Sequence, residues 1–211
     1  MSIPKEIYYS LLYLSLFLLL IRRNKLESEH IWLIPLLVAA LATEYIHDIA
    51  YPASISKSIY HIYQFLEGLF LSLFYYSSCY TKRYKTLIKI GFSFFALFMM
   101  IEFFFDKNNF ISTSGLDVSV GGFLITIYSI LYLFEIYQKD EDFELTKHSN
   151  FWIVSGNLIF YSITLVYYIF QQYLLKNSPY YKDLTLIPQV SNLILYLFYS
   201  IGFLCPTQTK K

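Results

Sequence analysis

Seven apolar runs, each close to the length that spans a bilayer, alternate along the chain with short polar connections. They predict helices over 6–21, 31–50, 58–79, 86–105, 119–138, 151–175 and 184–204. The first run is followed at once by Arg22, Arg23 and Lys25, and no small-residue cleavage site lies behind it, so it reads as a permanent helix and not as a signal peptide. In the second, Trp32 suits the interface and Pro35 falls in the first turn, where a missing N–H costs little. The connections are short: 51–57 with Pro52, a basic stretch over 81–85, a polar loop over 106–118, a charged stretch over 139–144 and a turn over 176–183. The fourth helix, with Phe92, Ser93, Phe94 and Phe95 at its centre, carries no polar stripe. The fifth opens on Gly121 and Gly122, where a neighbour can approach closely. No connection is long enough for a soluble catalytic domain and no repeat of fixed period is present. The chain therefore reads as one all-α domain over 1–211, a bundle of seven transmembrane helices.

Composition agrees. Of 211 residues 56% are hydrophobic and 15% charged, against about 25% charged in an ordinary soluble domain, and mean hydropathy is +0.47. A net charge of +1 supplies no basic face for nucleic acid. The 22 tyrosines and 20 phenylalanines suit membrane interfaces and a packed bundle. Orientation follows from the cations. Lys5, Lys57, Lys107, Lys176 and Lys182 fall on one side, and the other eleven of the 16 Lys and Arg on the other. The richer side is cytoplasmic by the positive-inside rule, which places the amino terminus outside and the carboxyl terminus inside. Cys79 and Cys205 fall at predicted cytoplasmic helix ends, where reducing conditions disfavour a disulfide; they read as free thiols, with palmitoylation as the alternative.

The polar residues inside the runs are not scattered. At 100° per residue, His61, Gln64, Gly68, Ser72, Tyr75 and Cys79 fall within about 80° of one another on helix three. Asn157, Tyr161, Thr164, Tyr168 and Gln171 do the same on helix six, and Gln189, Asn192, Tyr196, Tyr199 and Ser200 follow on helix seven. Since lipid-facing surface must be apolar, the three seams should face inward. Two readings are open. Each residue is helix-packing glue worth about 0.6–2 kcal/mol, or together they line a polar, tyrosine-rich cavity. Its outer half would be the richer, with Glu44, His47, Asp48, His61, Gln64, Glu67, Gln171 and Gln189, and with Glu102 placed similarly on helix four.

Glu44 shares a helix face with His47 and Asp48, and His61 enters on the next helix at similar depth. Two imidazoles and a carboxylate are a zinc-type donor set, so His47, Asp48 and His61 are candidate metal ligands, although no HExxH or comparable spacing supports them. A histidine hydrogen-bonded to a carboxylate across the hairpin, able to sense pH, is the competing account. Glu67 and Glu102 lie deeper and could couple to protons. Glu135, near the cytoplasmic end of helix five, reads as snorkelling or as a partner of Lys139. No GxSxG motif occurs, so a serine hydrolase has no anchor.

Asn150, Phe151, Trp152 and Ile153, followed by Gly156, Leu158, Phe160 and Tyr161, resemble the helix-six opening of small bacterial seven-helix membrane proteins, some of them associated with sensor histidine kinases. Tyr60, His61, Ile62 and Tyr63, followed by Glu67, are similar to the third helix of those proteins. The resemblance implies a sensory or partner-coupling role in a bacterial inner membrane, with no catalytic residue to carry over. With no kinase or output domain in these residues, a signal would leave through a separate protein such as a histidine kinase. The expectation is thus a multi-pass sensory module in contact with lipid, binding a small or lipid-like ligand and no cofactor. Its ligand-binding residues would be Glu44, His47, His61, Gln64 and Glu67 on helices two and three, Asn157, Tyr161 and Tyr168 on helix six, and Gln189, Asn192 and Tyr196 on helix seven. The alternatives are an intramembrane metal-dependent hydrolase acting on lipid and a small proton-coupled transporter.

Overall fold

Seven α-helices hold nearly all of the residues described by the computed structural model, which covers 5–49, 53–105, 115–138, 144–177, 184 and 186–205. They are α1 (Lys5–Arg22), α2 (Leu33–Ile49), α3 (Ala53–Ser78), α4 (Lys82–Phe105), α5 (Leu116–Tyr137), α6 (Ser149–Asn177) and α7 (Leu186–Leu204). Short 3₁₀ turns at Arg23–Lys25, Ser28–Trp32 and Leu145–Lys147 join them, and no strand occurs among the described residues.

Five segments are long and apolar enough to cross a membrane: Ser28–Asp48, Lys82–Phe104, Leu116–Tyr137, Ser149–Phe170 and Leu186–Leu204. The fold fits a multi-pass membrane protein. Large apolar side chains such as Phe17, Ile90, Phe94, Phe104, Phe123 and Val166 point outward, while His61, Gln64, Ser129, Asn157 and Thr164 are buried, the inverse of what water selects. The other two helices are less apolar for separate reasons. Lys5, Glu6 and Arg22 sit at the ends of α1, and α3 carries His61, Gln64 and Glu67 on its inward face. At 1.5 Å per residue the 18 residues of α1 and 26 of α3 still reach about 27 and 39 Å.

The helices form a closed ring in the order α1, α2, α3, α5, α6, α7, with α7 returning to α1, while α4 packs outside it across α3 and α5. Phe95 of α4 seats that outer helix. A Cβ on Gly68 of α3 would lie 2.5 Å from the Phe95 ring, and one on Gly121 of α5 3.3 Å from it and 3.0 Å from Gln64 Nε2. The close approach expected at Gly121 is therefore present, with α4 as one of the neighbours.

Three helix starts differ from the sequence expectation: α3 begins at Ala53 and takes in 53–57, expected as part of the connection, and α4 and α5 also begin early. The basic stretch expected as a loop, with Lys82, Arg83 and Lys85, is the first turn of α4. Glu135, expected to snorkel or to pair with Lys139, is buried instead, and its carboxylate accepts the backbone N–H of Tyr80 (3.0 Å) and of Thr81; Lys139 lies outside the described residues. These are two of the donors that a helix start leaves without a partner, so a carboxylate there lets α4 begin early. At the other end of the bundle α5 begins at Leu116, which brings Asp117 out of the expected loop into the first helical turn behind Gly115 (φ 69°), a left-handed conformation that glycine adopts without steric cost. The acidic stretch 139–143 lies outside the described residues.

We call the end at which α1 starts the upper end. Mid-bundle, the Ser129 hydroxyl donates to the Ile125 carbonyl (2.8 Å), so Tyr75 donates to Ser129 (2.6 Å). Asn157 then donates to Tyr75 (3.0 Å) and accepts from Tyr199 (2.7 Å). One chain of bonds ties α5, α3, α6 and α7. At the lower end Asn150 donates to Glu27 (2.9 Å) and Glu29 (3.1 Å), and His30 bridges the Glu27 carbonyl (3.0 Å) and Ser149 (2.9 Å). Asn157→Leu leaves two buried phenols short of a partner, which predicts a loss of about 1–3 kcal/mol, read as a lowered thermal midpoint of the detergent-purified protein.

Candidate functional site

A cavity of about 390 Å³ opens between the upper halves of the ring helices. All six contribute: Tyr8 from α1; Ala40, Thr43 and Glu44 from α2; Tyr60, His61, Tyr63, Gln64 and Glu67 from α3; Asp117 and Val118, behind Gly115, from α5; Phe160, Tyr161, Thr164 and Tyr168 from α6; Asn192 and Tyr196 from α7. The excluded helix, α4, lines none of it. Antiparallel neighbours explain the meeting: the second half of α2 and of α6 stands beside the first half of α3, α5 and α7, and the inward seams overlap there.

Three carboxylates set its chemistry. Asp117 Oδ2 lies 2.6 Å from His61 Nδ1, with both side chains buried at 5% and 4% exposure; such a contact between α3 and the start of α5 needs its charge matched inside the wall. The second Asp117 oxygen accepts the Val118 N–H at 2.8 Å, at a helix end whose dipole favours an anion. Glu67 accepts from the Tyr63 hydroxyl at 2.9 Å and meets the Tyr161 hydroxyl. Glu44 accepts from Tyr8 at 3.3 Å, and the Tyr8 ring stands edge-on to Tyr196, with centroids 5.7 Å apart. The floor is the Ser129, Tyr75, Asn157 and Tyr199 chain. Tyr75 lies about 12 Å below Glu67 by helical rise.

Of the residues read from the sequence as ligand-binding, the structure brings Glu44, His61, Gln64, Glu67, Tyr161, Tyr168, Asn192 and Tyr196 to the cavity wall. It places three elsewhere. Asn157 belongs to the floor and is bonded on both sides. His47 is exposed on the last turn of α2, its ring 5.2 Å from that of Tyr60. Gln189, half-buried near the start of α7, does not line the cavity. The side chain of Gln171 lies outside the described residues, and Glu102 rides on α4 outside the ring. The suggested metal ligands do not converge: His61 faces Asp117, His47 points out, and Asp48 is held by Lys5 and by the Tyr9 hydroxyl (2.7 Å). No group of three His, Cys, Asp or Glu side chains among the described residues is placed to hold a metal ion.

Sequence reading missed Asp117, hidden in a presumed loop. An acid two residues after a glycine and just before an apolar run is a helix-start signal that could have found it. It also missed Tyr8 and Thr43, which no seam argument reaches because α1 and α2 carry too few polar residues to define a stripe. The chain matches no protein-family model, no curated protein and no solved structure.

Asp117→Asn or His61→Gln removes half of a buried pair and is expected to cost about 3–5 kcal/mol. Thermal unfolding of the two single variants and the double variant checks this: the double should cost less than the sum of the singles, whereas additivity would show that the pair does not couple.

Proposed function

We propose that this protein is a seven-span sensory or signalling module of a bacterial inner membrane, amino terminus outside, that binds a small or lipid-like ligand in the upper cavity and acts through a separate partner such as a histidine kinase. The observation that carries the reading is a cavity of about 390 Å³, with carboxylates and tyrosines in its wall, to which every helix of the ring contributes a wall residue. A molecule seated there touches all six helices, so a difference in its affinity between two packings of the ring shifts their populations. The resemblance of the α3 and α6 segments to sensor-associated membrane proteins points the same way.

Charge supports the orientation. Arg22, Arg23, Lys25, Lys82, Arg83, Lys85, Lys89 and Lys147 gather at the lower end, where a cytoplasmic partner would dock. The transporter reading would require a route past the floor, which buried and hydrogen-bonded tyrosines fill. The hydrolase reading draws no support from the separate placements of His47, Asp48 and His61.

Native mass spectrometry of the protein released gently from membranes tests the binding reading. A retained small molecule or lipid on the wild type, lost from Gln64→Leu or Asn192→Leu of unchanged monodispersity, is expected; equal retention in both variants removes the cavity as its seat. Orientation is tested with the thiols. Cys205, at the lower end, is partly exposed, while Cys79 is buried, so a reagent in water does not reach its thiol. An impermeant maleimide should label Cys205 in inverted vesicles and not in intact cells, and should leave Cys79 unlabelled in both.

A further inference from the structure

We infer that the ligand of the upper cavity is an organic cation, an amine or quaternary ammonium ion; the inference rests on the ligand-binding reading above and names the class of molecule that the cavity selects. Two independent features of the wall converge on it.

The first is charge. Glu44, Glu67 and Asp117 line the cavity, and no lysine or arginine does among the described residues. Only Asp117 faces a basic group of the wall, His61. The donors to Glu44 and Glu67 are phenols, from Tyr8 and Tyr63, and a phenol carries no charge to offset a carboxylate. Lys5, the cation in the first turn of α1, is taken by Asp48 outside the cavity. Away from bulk water a carboxylate gains most from a formal positive charge; within the wall Asp117 meets an imidazole, while Glu44 and Glu67 meet phenols, with Lys5 and His47 acting on Glu44 only from outside the wall.

The second is aromatic surface. Six tyrosines, Tyr8, Tyr60, Tyr63, Tyr161, Tyr168 and Tyr196, stand in the wall. Rings that surround a partly desolvated ammonium group attract it through their quadrupoles and give no such preference to a neutral molecule of the same shape. Carboxylates set among tyrosines therefore recognise charge and bulk together, and an anion meets repulsion from the same wall. The volume admits a molecule of metabolite size and leaves room for a hydrophobic substituent against Ala40, Val118 and Phe160. The shared chemistry, a substituted ammonium, is found both in free amines and in lipid headgroups.

Isothermal titration of the full-length protein in lipid nanodiscs, corrected against empty discs, decides the point with two pairs that differ in charge alone: choline against 3,3-dimethylbutan-1-ol, and 2-phenylethylamine against 2-phenylethanol, with phenylacetate as the anion. Each cation is expected to bind at least about tenfold more tightly than its neutral partner, with phenylacetate weakest. Glu67→Gln should remove most of that preference while sparing the affinity for the alcohol. Should Glu67→Gln fail to purify as a monodisperse species, Glu44→Gln and Tyr196→Leu carry the same comparison. Phosphatidylglycerol and phosphatidylethanolamine discs separate the two sources: equal amine affinity in both assigns a free cation, and about tenfold weaker binding in phosphatidylethanolamine assigns a competing headgroup. Neutral partners that bind as well as the cations, or a neutral molecule retained by the wild type and lost from Gln64→Leu, overturn the cation and leave the binding reading standing. If no probe binds and nothing co-purifies, both fall.

Discussion

The amide of Asn157 is the joint on which this bundle depends. It donates to Tyr75 and accepts from Tyr199, and Tyr75 in turn donates a hydrogen bond to Ser129, so four helices meet through groups buried away from water. In an apolar surround each of those side chains is costly alone and satisfied only in the company of the others. The position of one therefore fixes the positions of all. Above the joint the same seams continue, but their side chains no longer close on one another, and the space between them is the cavity. The division between glue and site is a matter of height along the helices and not of residue type: Tyr199 is packing, and Tyr196, one turn above it, is wall.

The lower end is held by a different device. Glu27, Glu29, His30, Ser149 and Asn150 exchange hydrogen bonds across the connections before α2 and α6, and Glu135 caps the start of α4. A ring locked below and at mid-height can change shape chiefly at its upper rim, where the cavity lies.

How much of this was legible in the chain depends on whether a residue's role was set by its own helix or by a neighbour. The inward faces of α3, α6 and α7 followed from angular spacing alone, because the lipid forbids the alternative; every residue of the α3 seam, from His61 to Cys79, is buried. Helix length was legible for the same reason. Which seam residues meet a void and which meet a partner was not, since that depends on registration between helices that no local pattern encodes; Asn157 and Asn192 look alike in sequence. Nor could spacing show that α4 stands outside the ring. Glu102 looked like a counterpart of Glu67 at equal depth, but the void lies on the far side of α3 and α5. Asp117 and Glu135 were misjudged because acids near helix ends look like surface, and only the partner chain segments, His61 in one case and the Tyr80 and Thr81 amides in the other, make burial affordable.

Phe95 has a mechanical implication. It sits at mid-length of α4 against Gly68 and Gly121, and a Cβ added to Gly121 would lie 3.3 Å from the Phe95 ring and 3.0 Å from Gln64 Nε2 of the cavity wall, so the bare glycine is what lets the wall and the outer helix come this close. A rod held at its middle pivots, so any tilt of α4 about Phe95 would carry its upper end one way and its cationic foot, with Lys82, Arg83 and Lys85, the other.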